Sequence, residues 1–166
     1  MPAMEPRPVK DSQAALIRWM TLTDANSAGF VHGGTVMKLC DEAAGIAAVK
    51  HCRGRVVTAA IDRMTFMHPV HVGQLLTCKA SVNAVWNTSM EVGVRVEAEN
   101  PRTGELWHTS TAYLTMVALD EDGQPTAVPP LAADSPDETR RMREAELRRQ
   151  NRLSERDQIL AGRTEQ

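Results

Sequence analysis

The sequence predicts an α+β fold: a long antiparallel β-sheet wrapped around one central helix, with a further helix at the C-terminus. Three observations predict it. The run Gly34–His51 is alanine-rich and free of proline, and is the one clear helix in the first half of the chain. From about residue 74 to Leu119 the apolar residues alternate with period two, the mark of half-buried antiparallel strands. These strands run to about 12 residues, twice the usual length, and strands that long twist and curl. A helix of about 18 residues spans roughly 27 Å, so a curled sheet around it buries both. Such a sheet keeps open edges and a partly bare face, which predicts a dimer.

The elements follow in chain order. Residues 1–12 hold three prolines and mixed charges and read as a flexible N-terminus. Gln13–Leu22 is apolar-rich with Arg18 as its only charge, and reads as a strand. The stretch TDANSAGFVHGG that follows has the Asn, Ser, Gly and Asp content of a loop. The central helix carries Ala43, Ala44, Gly45, Ala47 and Ala48, side chains small enough for other backbone to approach, and ends near Arg53-Gly54. Val56–His68 supplies a strand before Pro69. Gln74–Trp86 places Leu76, Cys78, Ala80, Val82, Ala84 and Trp86 on one face; Met90–Ala98 places Met90, Val92, Val94, Val96 and Ala98 on one face, with Glu91, Arg95 and Glu97 opposite. Asn87-Thr88 makes a tight hairpin between them, Asn100–Glu105 the next turn, and Leu106–Leu119 the last strand. Residues 13–120 thus form one domain. Residues 121–135, rich in proline and acids, read as a linker. Ser135-Pro136-Asp137-Glu138 is a helix start, with Ser at the N-cap, Pro at the first position and Glu at the third. Residues 136–166 form an arginine-rich helix and tail.

Composition narrows the function classes. The chain has 166 residues, 19 basic against 21 acidic, and a formal net charge of −2. That balance, with only six aromatic residues, argues against a nucleic-acid surface. Three cysteines, Cys40, Cys52 and Cys78, make no disulfide framework and fit a reducing cytoplasm. The N-terminus lacks the apolar core of a signal peptide, and no run approaches the ~18 apolar residues of a membrane span, so no membrane partner is expected.

The chemistry centres on the helix and the loop before it. Met37, Asp41, Ala44 and Ala48 share one line of the helix, so Asp41 is a carboxylate set in a small-residue face. Burial there raises the pKa of a carboxyl and makes a general base; the other reading is a stripe-edge residue bonding nearby backbone. Gly33-Gly34 opens the helix, where free N–H groups form a hole for a developing oxyanion, or simply make a tight turn. Asn26 either positions a water or carbonyl, or closes an Asx turn. His32 reads as a locally bonded loop residue rather than a base. Cys40, mid-helix and without a basic partner, reads as a structural thiol. His68 and His71 have no accompanying carboxylate or cysteine, so no metal is expected. The seven arginines from Arg140 to Arg156 give either a solvated face laced with i,i+4 pairs, or one or two side chains reaching a phosphate-bearing ligand.

At these residues the chain resembles a known family. The run DANSAGFVHGGTVMKLCDEAAGIAAVKHC, then VVTAAID, VGQLLTCKASV and TSMEVGVRVEAE, is similar to the hotdog-fold acyl-CoA thioesterases, in particular the cytosolic long-chain (brain-type) acyl-CoA hydrolases and their single-domain bacterial relatives. The likeness covers roughly residues 13–120 and carries the motif D-x-N-x-x-G-x-x-H-G-G-x-x-M-x-x-x-D. It implies a hotdog fold whose pairs assemble as trimers of dimers, a homohexamer, with the site at the dimer interface. It implies Asp41 as general base or nucleophile, Asn26 from the partner subunit, the Gly34 N–H on the thioester carbonyl, and Thr58 binding the attacking water. It implies substrate or coenzyme A contacts at His32, Gly33, Ala59, Ala60, Ile61, Thr88, Ser89, Met90, and Arg148 or Arg149. Coenzyme A is then product and ligand, with no other cofactor. Some animal relatives divide the asparagine and carboxylate between two domains; this chain holds both, so a homodimer has two complete sites. Some bacterial relatives carry an aromatic residue at the His32 position, so substrate preference does not transfer.

The expected activity is hydrolysis of acyl-CoA to a free acid and coenzyme A. The alternatives are a non-catalytic module that binds or senses acyl-CoA, since fold does not fix function, and a thioesterase for aromatic acyl-CoA or acyl carrier protein.

Overall fold

The computed structural model describes residues 4–164; the first three residues of the expected flexible N-terminus and the last two of the tail lie outside them. Five strands make one antiparallel sheet in the order β2-β4-β5-β6-β3: β2 (Ala14–Trp19), β3 (Arg55–Ile61), β4 (Leu75–Val85), β5 (Ser89–Glu99) and β6 (Leu106–Leu119). Helix α1 (Gly33–Cys52) follows β2, and helix α2 (Pro136–Thr164) ends the chain. The architecture is the expected one: a curled sheet, a long helix against its inner face and a terminal helix.

The alternation read from the sequence sets the layers. Leu76, Cys78, Ala80 and Val82 of β4 and Met90, Val92, Val94 and Val96 of β5 are buried against α1. The helix meets them with Leu39, Cys40, Ala43, Ala44, Ala47 and Ala48, all enclosed. Alanines on this face let the helix sit close to a concave sheet with few voids. Gly45 departs from its expected role, since nothing stands within 4 Å of where its Cβ would be. It lies on the open side of α1.

Four features differ from the sequence reading. The third strand, expected over Val56–His68, ends at Ile61, because its partner β6 is last matched at Leu114 and the Asp62 N–H goes to the Tyr113 carbonyl (2.9 Å). The first long strand and α1 shift by one to three residues at their ends. The lead-in and the linker, expected to be without regular structure, pair with each other: β1 (Arg7–Pro8) runs parallel to β7 (Leu131–Ala132), and Val9 and Ser12 behind it are buried. Finally, the outer face of β5 is not a solvent face throughout. Glu91 is 1% exposed, because α2 lies across it.

The terminal helix starts as the capping signature predicts, with the Glu138 N–H donating to Ser135 Oγ at 3.2 Å. Its arginines divide. Arg140 pairs with Glu144 at i,i+4, the solvated arrangement. Arg148 reaches Glu91 with two bonds, Nη2 to Oε1 at 2.7 Å and Nε to Oε2 at 3.1 Å, and lies over the Tyr113 ring at 3.6 Å. Arg152 bonds Asp62 at 2.9 Å. These ion pairs strap α2 to the outer sheet and to the end of β3.

Candidate active site

Asp41 stands on the border of the buried stripe rather than inside it. Ala44 and Ala48 on its line face the core, Met37 is exposed, and Asp41 itself is half-buried. Its carboxylate accepts the Thr58 hydroxyl hydrogen at 2.5 Å, which joins α1 to β3. Thr58 Oγ1 also lies 3.4 Å from Met116 Sδ. The backbone around Thr58 is irregular: the β3–β6 register shifts between Thr58 and Ala60, so Ala59 is the extra residue of a bulge. The expected pair Asp41 and Thr58 is thus brought together, at an exposed edge strand.

The helix start is built by the preceding loop. Asp24, 5% exposed, accepts the Thr21 N–H at 2.8 Å and hydroxyl at 3.0 Å on one oxygen and the Arg18 guanidinium on the other. The Thr21 amide bond, ahead of the hydroxyl and Arg18, holds its carboxyl below the usual range against the opposing effect of burial. The Asp24 carbonyl accepts the His32 N–H at 2.8 Å, which sets the residue before α1. Asp24 was visible as the first letter of the motif; its positioning role becomes visible only when these partners surround it. Gly33 and Gly34 are the first two residues of α1, and their N–H groups have no acceptor within the helix, whereas those of Thr35 and Val36 both go to the His32 carbonyl at 2.9 and 3.3 Å. Space beside Gly34 is open, while Gly33 lies beside the Phe66 ring.

Asn26 takes the turn-closing geometry: its Oδ1 accepts the N–H groups of Ala28 at 2.9 Å and Phe30 at 3.2 Å. Its Nδ2 has no hydrogen-bond partner among the described residues. His32 is exposed. Ala59, Ala60 and Ile61 lie exposed on β3, and Thr88 and Ser89 half-buried at the β4–β5 hairpin. Met90, named with them, has its side chain wholly in the core. Arg148 is committed to Glu91, whereas Arg149 lies over the Trp86 ring at 4.9 Å, beside that hairpin. The Cys40 thiol is raised by its hydrogen bond with Cys78 and by burial, as suits a structural thiol. Among the described residues no cluster of three His, Cys, Asp or Glu side chains stands ready for a metal.

A curled antiparallel sheet around one helix, with an aspartate and a threonine paired across its open side, defines a protein of the hotdog thioesterase class. The comparisons agree. Residues 28–105 match the thioesterase superfamily model. The protein VdlD of Helicobacter pylori is 41% identical over 130 residues, 78% of this chain and 74% of that protein. The cytosolic acyl coenzyme A thioester hydrolase of Rattus norvegicus is 36% identical over 146 residues, 87% of this chain; the aligned region is 38% of the rat protein. Among solved structures, an apo-hexameric acyl-CoA thioesterase superposes with a TM-score of 0.88 at 38% identity, covering 92% of this chain and 97% of the other. An acyl-CoA hydrolase from Staphylococcus aureus, solved with butyryl coenzyme A, coenzyme A and coenzyme A disulfide, gives 0.85 at 30% identity over 93% and 94%. The chain belongs to the thioesterase superfamily.

Proposed function

We propose that the protein hydrolyses acyl-CoA thioesters, with Asp41 as the base. The observation that carries this is the Asp41–Thr58 bond at an open, partly apolar edge of the fold. A half-buried carboxylate that accepts the Thr58 hydroxyl hydrogen on Oδ1 has Oδ2 left to accept from a water held beside the pair. Asp41 takes the water's proton, the hydroxide oxygen attacks the thioester carbon, and the carbonyl oxygen gathers charge against the Gly34 N–H. The C–S bond then breaks and coenzyme A leaves as the thiol, taking up the proton.

The S. aureus hydrolase supplies further support. Its solved variants replace an aspartate, an asparagine and a threonine by alanine. The intervals between those positions are 15 and 17 residues, the same as from Asn26 to Asp41 and from Asp41 to Thr58 here.

Helix geometry argues for a site shared between protomers. Gly34 and Asp41 lie on one helix line but seven residues apart, about 10 Å along the axis. Oxyanion donor and base each work at about 3 Å from one small reacting group. We therefore assign Gly34 and Asn26 of one protomer to the Asp41 and Thr58 of its partner, in a homodimer with two sites. The face this needs is present: β3 is an edge strand, and Met37, Val49, Val57 and Ile61 around it are exposed. Three such dimers would make the hexamer that the apo-hexameric neighbour forms. Thr88, Ser89 and Arg149 are the contacts we assign to coenzyme A; Arg148 serves the fold. A cytoplasmic setting suits the three free cysteines.

The test is thiol release from a panel of acyl-CoA esters graded by chain length, with an aromatic acyl-CoA beside them. Turnover on at least one straight-chain ester supports the reading. Binding without thiol release across the panel would reduce the protein to an acyl-CoA-binding module.

A further inference from the structure

The outer face of the sheet, away from α1 and Asp41, carries a groove of about 600 Å³ between the strands and the N-terminal half of α2. That volume lies in the range of small-molecule sites, roughly 300–1,000 Å³. Its floor follows one cross-strand row, Ser81–Gly93–Tyr113. Glycine in that row makes room for the Asn83 side chain, which would have to shift for any other residue, because a Cβ on Gly93 would stand 2.6 Å from Asn83 Nδ2. The Ser81 hydroxyl beneath is shut off from bulk solvent and has no hydrogen-bond partner among the described residues.

The walls are cationic. Five basic side chains line the groove against one carboxylate, Glu144. Lys79 and Arg95 on the sheet side share the single carboxylate of Glu97, at 2.6 and 2.7 Å. On the helix side Arg140 takes Glu144 at 2.7 Å, while Arg141 has only Asp137 at 3.9 Å. Those four cations face three carboxylates, and their side chains are 41–54% exposed at the rim. A surplus positive charge and two walls of N–H donors suit a group with several anionic oxygens.

We propose that this groove binds a phosphate-bearing anion at a site separate from the thioester centre. The core of the sheet lies between the two, so the ligand at this groove is not the acyl group under attack. The inference stands whether or not the thioesterase reading does.

The test is calorimetric titration of the full-length protein at fixed ionic strength with tripolyphosphate, ATP and coenzyme A. Saturable binding of tripolyphosphate is expected, weakened at least about tenfold in Lys79→Gln/Arg141→Gln, as loss of two charge-assisted contacts implies. The acyl-CoA KM of that variant should stay unchanged. ATP binding more tightly than tripolyphosphate assigns the site to a nucleotide; equal affinity assigns it to the phosphates alone. If the double variant fails to fold, Arg141→Gln alone should weaken binding by about threefold or more. Absence of saturable binding for every probe overturns the proposal. So does tripolyphosphate binding that survives both substitutions and is displaced by coenzyme A, which would put the anion at the thioester site.

Discussion

At the scale of single residues the Thr58 hydroxyl does two things at once: it donates to Asp41 and it sits on a bulged edge strand where solvent and a partner can reach it. Thr58→Val keeps the shape and removes the donor. Its kcat should fall about tenfold with little change in KM, and Thr58→Ser should restore most of it, since a hydroxyl that orients a water acts in the transition state. Steady-state kinetics on the three proteins checks this. Of the candidate site, two placements were legible in the chain: Asp41 falls on a helix line with small residues, and Gly33-Gly34 falls at a helix start. The turn-closing bonds of Asn26 were also foreseen as one of its two readings. What the pattern could not show was depth. Asp41 lies half-buried because its line runs along the edge of the buried stripe, with Met37 exposed at one end and Ala44 and Ala48 enclosed at the other.

At the scale of elements the terminal helix depends on a buried charge. Glu91 is enclosed and meets two arginines of α2, Arg148 directly and Arg152 at 3.8 Å. Arg148→Ala leaves that carboxylate underpaired beneath the helix and should cost about 3 kcal/mol of stability, the penalty of breaking a buried pair. Urea unfolding measures it. The alternation in β5 told that Glu91 faces away from the core, but not that a helix 57 residues further on covers it. The over-long third strand has a related cause: Met64 and Phe66 keep the apolar density high after the regular ladder with β6 has ended, and the Met67 N–H still reaches the Thr109 carbonyl at 2.8 Å.

The C-terminal end of α1 adds a pH dependence. His51 is buried, its Nε2–H donating to the Pro129 carbonyl at 2.8 Å, while Nδ1 has no partner among the described residues. Burial holds its pKa below the ordinary histidine range, against the opposing pull of that carbonyl. Below about pH 6.5, where the unfolded histidine protonates, the unfolded chain takes up the proton first, so stability falls as pH drops through that window. His51→Gln should flatten the slope of denaturation midpoint against pH between about 5 and 7. An unaltered slope would assign the acid sensitivity elsewhere.

At the scale of the whole molecule, a single protomer leaves β3 exposed on both faces, with Asp41 and Thr58 beside it. If the site is shared, two defective chains can repair each other. Co-expressed Asp41→Asn and Asn26→Ala chains should recover about a quarter of wild-type activity, since half the random dimers are mixed and each mixed dimer holds one intact site. Activity no greater than that of either variant alone would place all the groups within one protomer. The most direct check on the chemistry is thiol release by Asp41→Asn on the best acyl-CoA ester of the wild-type panel. With its base gone and its fold intact by thermal melting, the variant should turn over at least about 100-fold more slowly. Near-normal turnover by a folded Asp41→Asn protein would contradict the account.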